Sequence, residues 1–259
     1  MIPSRKMASD RSCFNNLYIN LRPMKRLSIL FALIAVAVGM SAREFTLPVG
    51  QFSKIAVDDN VNVIYIGGDG SPSRVRYEGD QKYAKAFIIN YKGDKLRVQV
   101  ETSFVDDPEL PTLYLYSDFL KQASISSEST LKIDAAAPCS EIELSLMGNG
   151  NIVANGLRAT KISAGVKSGN GTISVEGHCQ QAKFTMIGNG TIQADRLEAT
   201  DVECKILGTG SIGCWPVNDL KVRGIGTTKI YYKGDPEVDK KGGGKLFRLD
   251  WEEEVKNQD

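Results

Sequence analysis

His178 is the one histidine in the 259 residues of the chain. A Ser-His-Asp or Cys-His nucleophile would have to use it, because imidazole is the base such machinery needs near neutral pH. Cys179 adjoins it, but neighbours on a strand point to opposite faces. The pair therefore reads as an exposed corner histidine beside a buried thiol. Zinc is poorly served too, since there is no CxxC spacing and no second imidazole. Carboxylates are the remaining route to chemistry. Asn155, Glu176 and Asp195 follow equivalent alternating segments, which could bring Glu176 near Asp195. Two such acids could act as an acid–base pair or hold a cation, as polysaccharide-cleaving β-helices require. No Arg or Lys is expected beside them, and solvated turn residues are the simpler reading. No catalytic residue, cofactor or metal is assigned.

The elements that would position these residues are written in a repeat. Gly148-Asn149-Gly150-Asn151-Ile152 recurs as Gly169-Asn170-Gly171-Thr172-Ile173, Gly188-Asn189-Gly190-Thr191-Ile192 and Gly208-Thr209-Gly210-Ser211-Ile212. A looser copy is Gly224-Ile225-Gly226-Thr227, and a degenerate one, Ser127-Glu128-Ser129-Thr130-Leu131, comes first. First glycines are separated by 21, 19, 20 and 16 residues. Apolar residues alternate on both sides of each pair, as in Ile142-x-Leu144-x-Leu146 before and Ile152-x-Ala154 after. Period two means strands with one buried face, and helical spacing is absent.

One such unit cannot close a core. Roughly five inward side chains at about 1.5–3 kcal/mol each are largely cancelled by ordering entropy, so like units must stack, about 4.8 Å apart. The reading is an all-β, right-handed parallel β-helix (a β-solenoid of about 20 residues per coil) over residues 111–233, with an N-terminal β-rich cap over residues 43–110. The Gly-x-Gly pairs are its turns, where glycine takes φ > 0 without a Cβ clash. The asparagines between them could form a ladder along the axis. In the cap, strands are expected at 52–57, 61–66, 74–78, 87–91 and 96–101, a short helical piece at 84–88 and a hairpin turn at Gly93-Asp94. Residues 234–259, with Gly242-Gly243-Gly244, read as a polar tail in which Leu246-Phe247-x-Leu249-x-Trp251 could fold back on the last coil.

The first 42 residues stand outside this pattern. Lys25-Arg26, an apolar run over 27–38 and Gly39-Met40-Ser41-Ala42 make a cleavable signal peptide, with Met24 as the expected true start. Six basic residues and one acid fall in that leader, leaving 26 basic and 30 acidic residues. A mildly acidic exported chain is a poor nucleic-acid binder. Its four cysteines would ordinarily pair. Here Cys139 and Cys179 share a column two coils apart with Ala159 and Ala199, beyond bridging distance. Cys204 and Cys214 read as inward residues of different walls, so all four are expected free.

The repeated Gly-Asn-Gly-x-Ile motif, with Phe52-x-x-Ile55-x-Val57, Val61-x-Val63-x-Tyr65 and Leu96-x-Val98-x-Val100 upstream, resembles the head GIN domain family. Its members are named as autotransporter adhesins and are common in Bacteroidetes. The resemblance runs from about Phe45 to Tyr232 and implies a secreted or surface-exposed β-solenoid with a role in adhesion. It supplies no catalytic residue, and Ser127 and Ser129 depart from its glycine pattern.

One outward feature could make contacts. Met147, Ile187 and Leu207 precede the first glycine of their turns, and Ile225 lies inside the last. Either they form an exposed apolar stripe or local bulging tucks them in. The functional expectation is a non-catalytic adhesin-like solenoid at the periplasm, outer membrane or cell surface, binding an extended glycan or protein, with a homo-oligomer also open. A polysaccharide lyase or hydrolase, and a self-associating periplasmic structural protein, are the competing readings.

Overall fold

The structure is a computed structural model that describes residues 43–249 apart from 69, 71 and 106. The expected signal peptide, Met24, Trp251 and the last residues lie outside the described residues. What is described is 66% strand and 4% helix, a β-solenoid of about six turns of roughly 20 residues.

Two walls face each other across the core. The first is built from β2 (Lys54–Val57), β6 (Lys95–Val100), β8 (Gln122–Ile125) and β10 (Cys139–Met147). The second contains β3 (Val63–Gly67), β7 (Leu113–Ser117) and β9 (Thr130–Ala135). Four long bent strands, β11 (Asn151–Ser168), β12 (Thr172–Met186), β13 (Thr191–Ile206) and β14 (Ser211–Gly224), each start in the second wall and finish in the first wall of the next coil. A short third side joins them, where Ala159, Cys179 and Ala199 pair in register. The stack ends with β15 (Lys229–Tyr232), β16 (Glu237–Gly242) and β17 (Lys245–Arg248).

Register follows the apolar columns. Ile152, Ile173, Ile192, Ile212 and Ile230 are consecutive parallel partners. Leu131, Val63 and Leu113 continue the same column, and all eight are buried. Branched aliphatic side chains at the rung spacing pack flank to flank, and a one-residue slip would turn every one outward.

The cap differs from expectation in an instructive way. The five expected strands are present, as is the Gly93-Asp94 hairpin between β5 (Phe87–Lys92) and β6, and a 3₁₀ turn at Gln81–Lys85 lies slightly before the expected helical piece. Yet β2 and β3 form a full coil, inserted between the β6–β7 layer and the β8–β9 coil. Spatial order is thus not chain order. Only β1 (Arg43–Pro48), β4 (Arg74–Gly79) and β5 are antiparallel additions that cover the open end. The β2–β3 coil carries the same alternation, Ile55, Val57, Val63 and Tyr65, but turns through residues 58–62 without a glycine pair, so its membership of the stack is not visible as a repeat. At the other end, β16 and β17 stack on β14 and β15. Gly242-Gly243-Gly244, read as a flexible segment, is the turn of this last coil. The Gly243 amide donates to the Gly224 carbonyl and the Gly244 amide to that of Gly226.

Candidate functional site

The Gly-x-Gly turns form one corner of the solenoid, between the first and second walls. Positive φ is confined to one glycine in four of the pairs, Gly148 (106°), Gly169 (79°), Gly210 (114°) and Gly224 (132°). The expected φ > 0 is therefore found at four of the ten turn glycines and not at the other six. Gly150, Gly171, Gly188, Gly190, Gly208 and Gly226 are needed for a different reason. A Cβ at any of them would run into a backbone carbonyl oxygen of the preceding coil, as Gly190 would into Gly171. Ser127 and Ser129 tolerate a side chain because the coil stacked before them turns through residues 58–62 instead. Their hydroxyls bond each other at 2.8 Å. The asparagine ladder is partial: Asn149 bridges Glu128 and the Asn170 amide, and Asn189 accepts from Thr209.

At this corner Met147, Ile187, Leu207 and Ile225 are 43%, 44%, 60% and 75% exposed. They are not tucked in. The Ile187, Leu207 and Ile225 amides donate to the carbonyls of Val166, Met186 and Ile206, which places these three side chains on successive coils. Lys167 occupies the coil between Met147 and Ile187.

The acidic column differs from the sequence reading. A bulge between Ser174 and Glu176 advances the next coil by one residue, so Glu176 registers with Arg196 rather than Asp195. Glu176 Oε1 accepts from Arg196 Nη1 at 2.8 Å, and Lys233 Nζ lies 3.7 Å from Asp195 Oδ2. Cations do stand beside both acids, against the expectation. The alternation in sequence located the acids, but a bulge leaves no mark in composition, and Lys233 comes from two coils away. Ser174, Val175, Glu176, Gln193, Asp195 and Arg196 line a depression of about 280 Å³. Among the described residues no group of three or more His, Cys, Asp or Glu side chains could hold a metal ion.

The first wall carries exposed ion pairs, the expected Lys183–Glu203 at 4.0 Å and Lys161–Glu141 at 2.7 Å. Such pairs add little stability. His178 is exposed and lies 3.7 Å from Glu198. Burial pushes the Cys179 thiol up to about 12, so it offers no thiolate near neutral pH. All four described cysteines are free. Cys204 and Cys214 do meet across the core: the Cys214 thiol donates a hydrogen bond to the Cys204 sulfur, and this, together with burial, holds Cys214 well above the ordinary thiol range.

Fold and surface together define a β-solenoid whose chemistry lies in columns of outward side chains on a rigid stack. The family described as "Putative auto-transporter adhesin, head GIN domain" matches residues 51–236, and the chain belongs to that family. Solved structures with the same fold include a "putative adhesin" from Bacteroides fragilis, 21% identical over 81% of this chain and 98% of that one, with a TM-score of 0.70. A "putative adhesin" from Parabacteroides distasonis is 21% identical over 80% and 96%, with a TM-score of 0.64. A "putative lipid binding protein" from the same species is 19% identical over 82% and 98%, with a TM-score of 0.62. No curated protein matches the chain. Among the described residues no helix is long and apolar enough to cross a membrane.

Proposed function

We propose that the chain is an exported, non-catalytic, adhesin-like solenoid of the cell envelope that binds an extended partner through its glycine corner. The observation that carries this reading is the row of Ile187, Leu207 and Ile225, exposed on three successive coils. Large apolar side chains held at fixed spacing on a rigid backbone lose little further entropy on binding, which favours association. Family membership supports an adhesive role, and the cation-paired state of Glu176 and Asp195 argues against their use as an acid–base pair.

Beads coated with the purified protein test the reading by their adhesion to isolated bacterial cell envelopes. The variant Ile187→Lys/Leu207→Lys/Ile225→Lys is expected to lose adhesion tenfold or more at unchanged thermal midpoint. Equal adhesion would remove the corner from the binding surface. In a screen against acidic and neutral polysaccharides, with and without calcium, no cleavage is expected. Cleavage abolished by Glu176→Ala or Asp195→Ala would instead establish the enzyme reading.

A further inference from the structure

We propose a second binding site on the outer face of the second wall: a slot over Gly213 that takes a neutral, gluco-configured pyranose ring. Ser174, Gln193, Gly213, Tyr231 and Phe247 are successive outward partners in one column. Tyr231 and Phe247 stack with ring centroids 5.2 Å apart and planes 22° apart. Because this stack runs along the column, the opposite face of Tyr231 fronts the rung of Gly213, which carries no side chain. Gln193 stands on the far side of that rung.

Gly213 does not have the reason for being glycine that the corner residues have. Its φ is not positive, and the nearest atoms a Cβ there would meet belong to the Asp195 side chain, at 3.4–3.8 Å, an ordinary contact distance. Neither backbone conformation nor coil stacking demands the gap. Its effect is a break in the column of outward side chains, flanked by the Asp195 side chain and roughly 10 Å wide between the Tyr231 and Gln193 rungs. A sugar ring placed midway lies one rung from each, the spacing at which Tyr231 already stacks on Phe247.

The lining selects the ligand. An aromatic face on one side and a planar amide on the other favour a ring with flat C–H surfaces on both sides, which equatorial hydroxyls provide. Polar groups at the margin can then bond those hydroxyls. Asp195 leans toward the slot, and Ser174, Glu176, Gln193 and Arg196 line the adjoining depression. A few placed polar groups beside aromatic surface are typical of small-molecule sites. Glu176 with Arg196 and Asp195 with Lys233 balance one another in charge, so the depression itself offers a polyanion no net attraction. An extended peptide would need an open sheet edge for strand addition, and β14 is paired on both sides here. The site is separate from the glycine corner and does not rest on it.

Calorimetric titration of the full chain with cellopentaose, N-acetylchitopentaose, mannopentaose and oligogalacturonate tests the site. Binding is expected for at least one of the first two, more weakly for mannopentaose with its axial hydroxyl, and not for oligogalacturonate. Tyr231→Ala is expected to weaken binding tenfold or more. Gly213→Val, which fills the slot with a strand-compatible side chain, is expected to do the same at unchanged thermal midpoint, and Leu207→Lys is expected to bind as wild type. The proposal is overturned if neither gluco-configured probe binds, if oligogalacturonate binds more tightly, or if Gly213→Val binds normally. Failure of the slot with intact adhesion leaves the corner reading standing, and loss of corner adhesion with intact titration leaves the slot.

Discussion

At the scale of the residue, glycine in this chain answers two separate constraints. Gly156 has φ of +64° with open space around its missing Cβ. Gly190 has no positive φ, but a Cβ there would overlap the Gly171 carbonyl oxygen. Gly156→Ala is therefore expected to cost about 1–2 kcal/mol, the left-handed penalty for an L-residue. Gly190→Ala should cost more, about 3 kcal/mol or above, because a paired backbone has to move. Urea unfolding of the two variants separates the causes, and equal costs would mean that coil contact is not what selects Gly190. Tyr77 presents the opposite case. Its ring stacks on Phe45 at 4.8 Å, yet its hydroxyl is buried with no hydrogen-bond partner among the described residues. Tyr77→Phe removes an unmet donor and is expected to leave stability unchanged or raise it by about 1 kcal/mol. A loss of stability would point to a partner for that hydroxyl.

At the scale of the element, the walls are repeats of one alternating pattern, and much of this was legible in the residues. The isoleucine column, the Cys139–Ala159–Cys179–Ala199 column and the Lys183–Glu203 pair all follow from counting along a near-constant period. Counting fails where the period changes. The bulge at Ser174/Glu176 shifts Glu176 from Asp195 to Arg196, and residues 54–67 join the stack out of order. Self-association is tested at this scale. If copies of the chain pair through the glycine corner, Ile187→Lys with Leu207→Lys is expected to reduce the mass seen in size-exclusion chromatography. An unchanged oligomer would place the contact elsewhere.

At the scale of the whole molecule, stability comes from neighbours on both sides of each coil. Ending the chain after residue 233 would strip β16 and β17 and bare the edges of β14 and β15. Such a truncation is expected to lower the thermal midpoint and to aggregate through those edges. Titration of Cys179, half-buried where the sequence suggested a fully buried thiol, adds a pH dependence. Burial raises Cys179 from the ordinary thiol value of 9.0 to about 12. The neutral thiol is therefore favoured in the folded chain, and its contribution is present below pH 9 and lost as pH rises toward 12. Cys179→Ala places alanine in a column that already holds Ala159 and Ala199. Its midpoint is expected to fall less than that of wild type between those pH values, and parallel curves would show that another group governs alkaline unfolding.

By itself the sequence determined the periodic features: parallel coils of about twenty residues, glycine at the corner, isoleucines inside and free thiols. These follow from local alternation, which each strand carries in its own residues. Only the tertiary structure decided which coil lies on which. That order placed 54–67 between later layers, made Gly242-Gly243-Gly244 a corner, and set Tyr231 beside the bare rung of Gly213. The reason is that stacking order depends on which exposed faces and edges remain to be covered, a property of the assembled sheet that no single segment encodes.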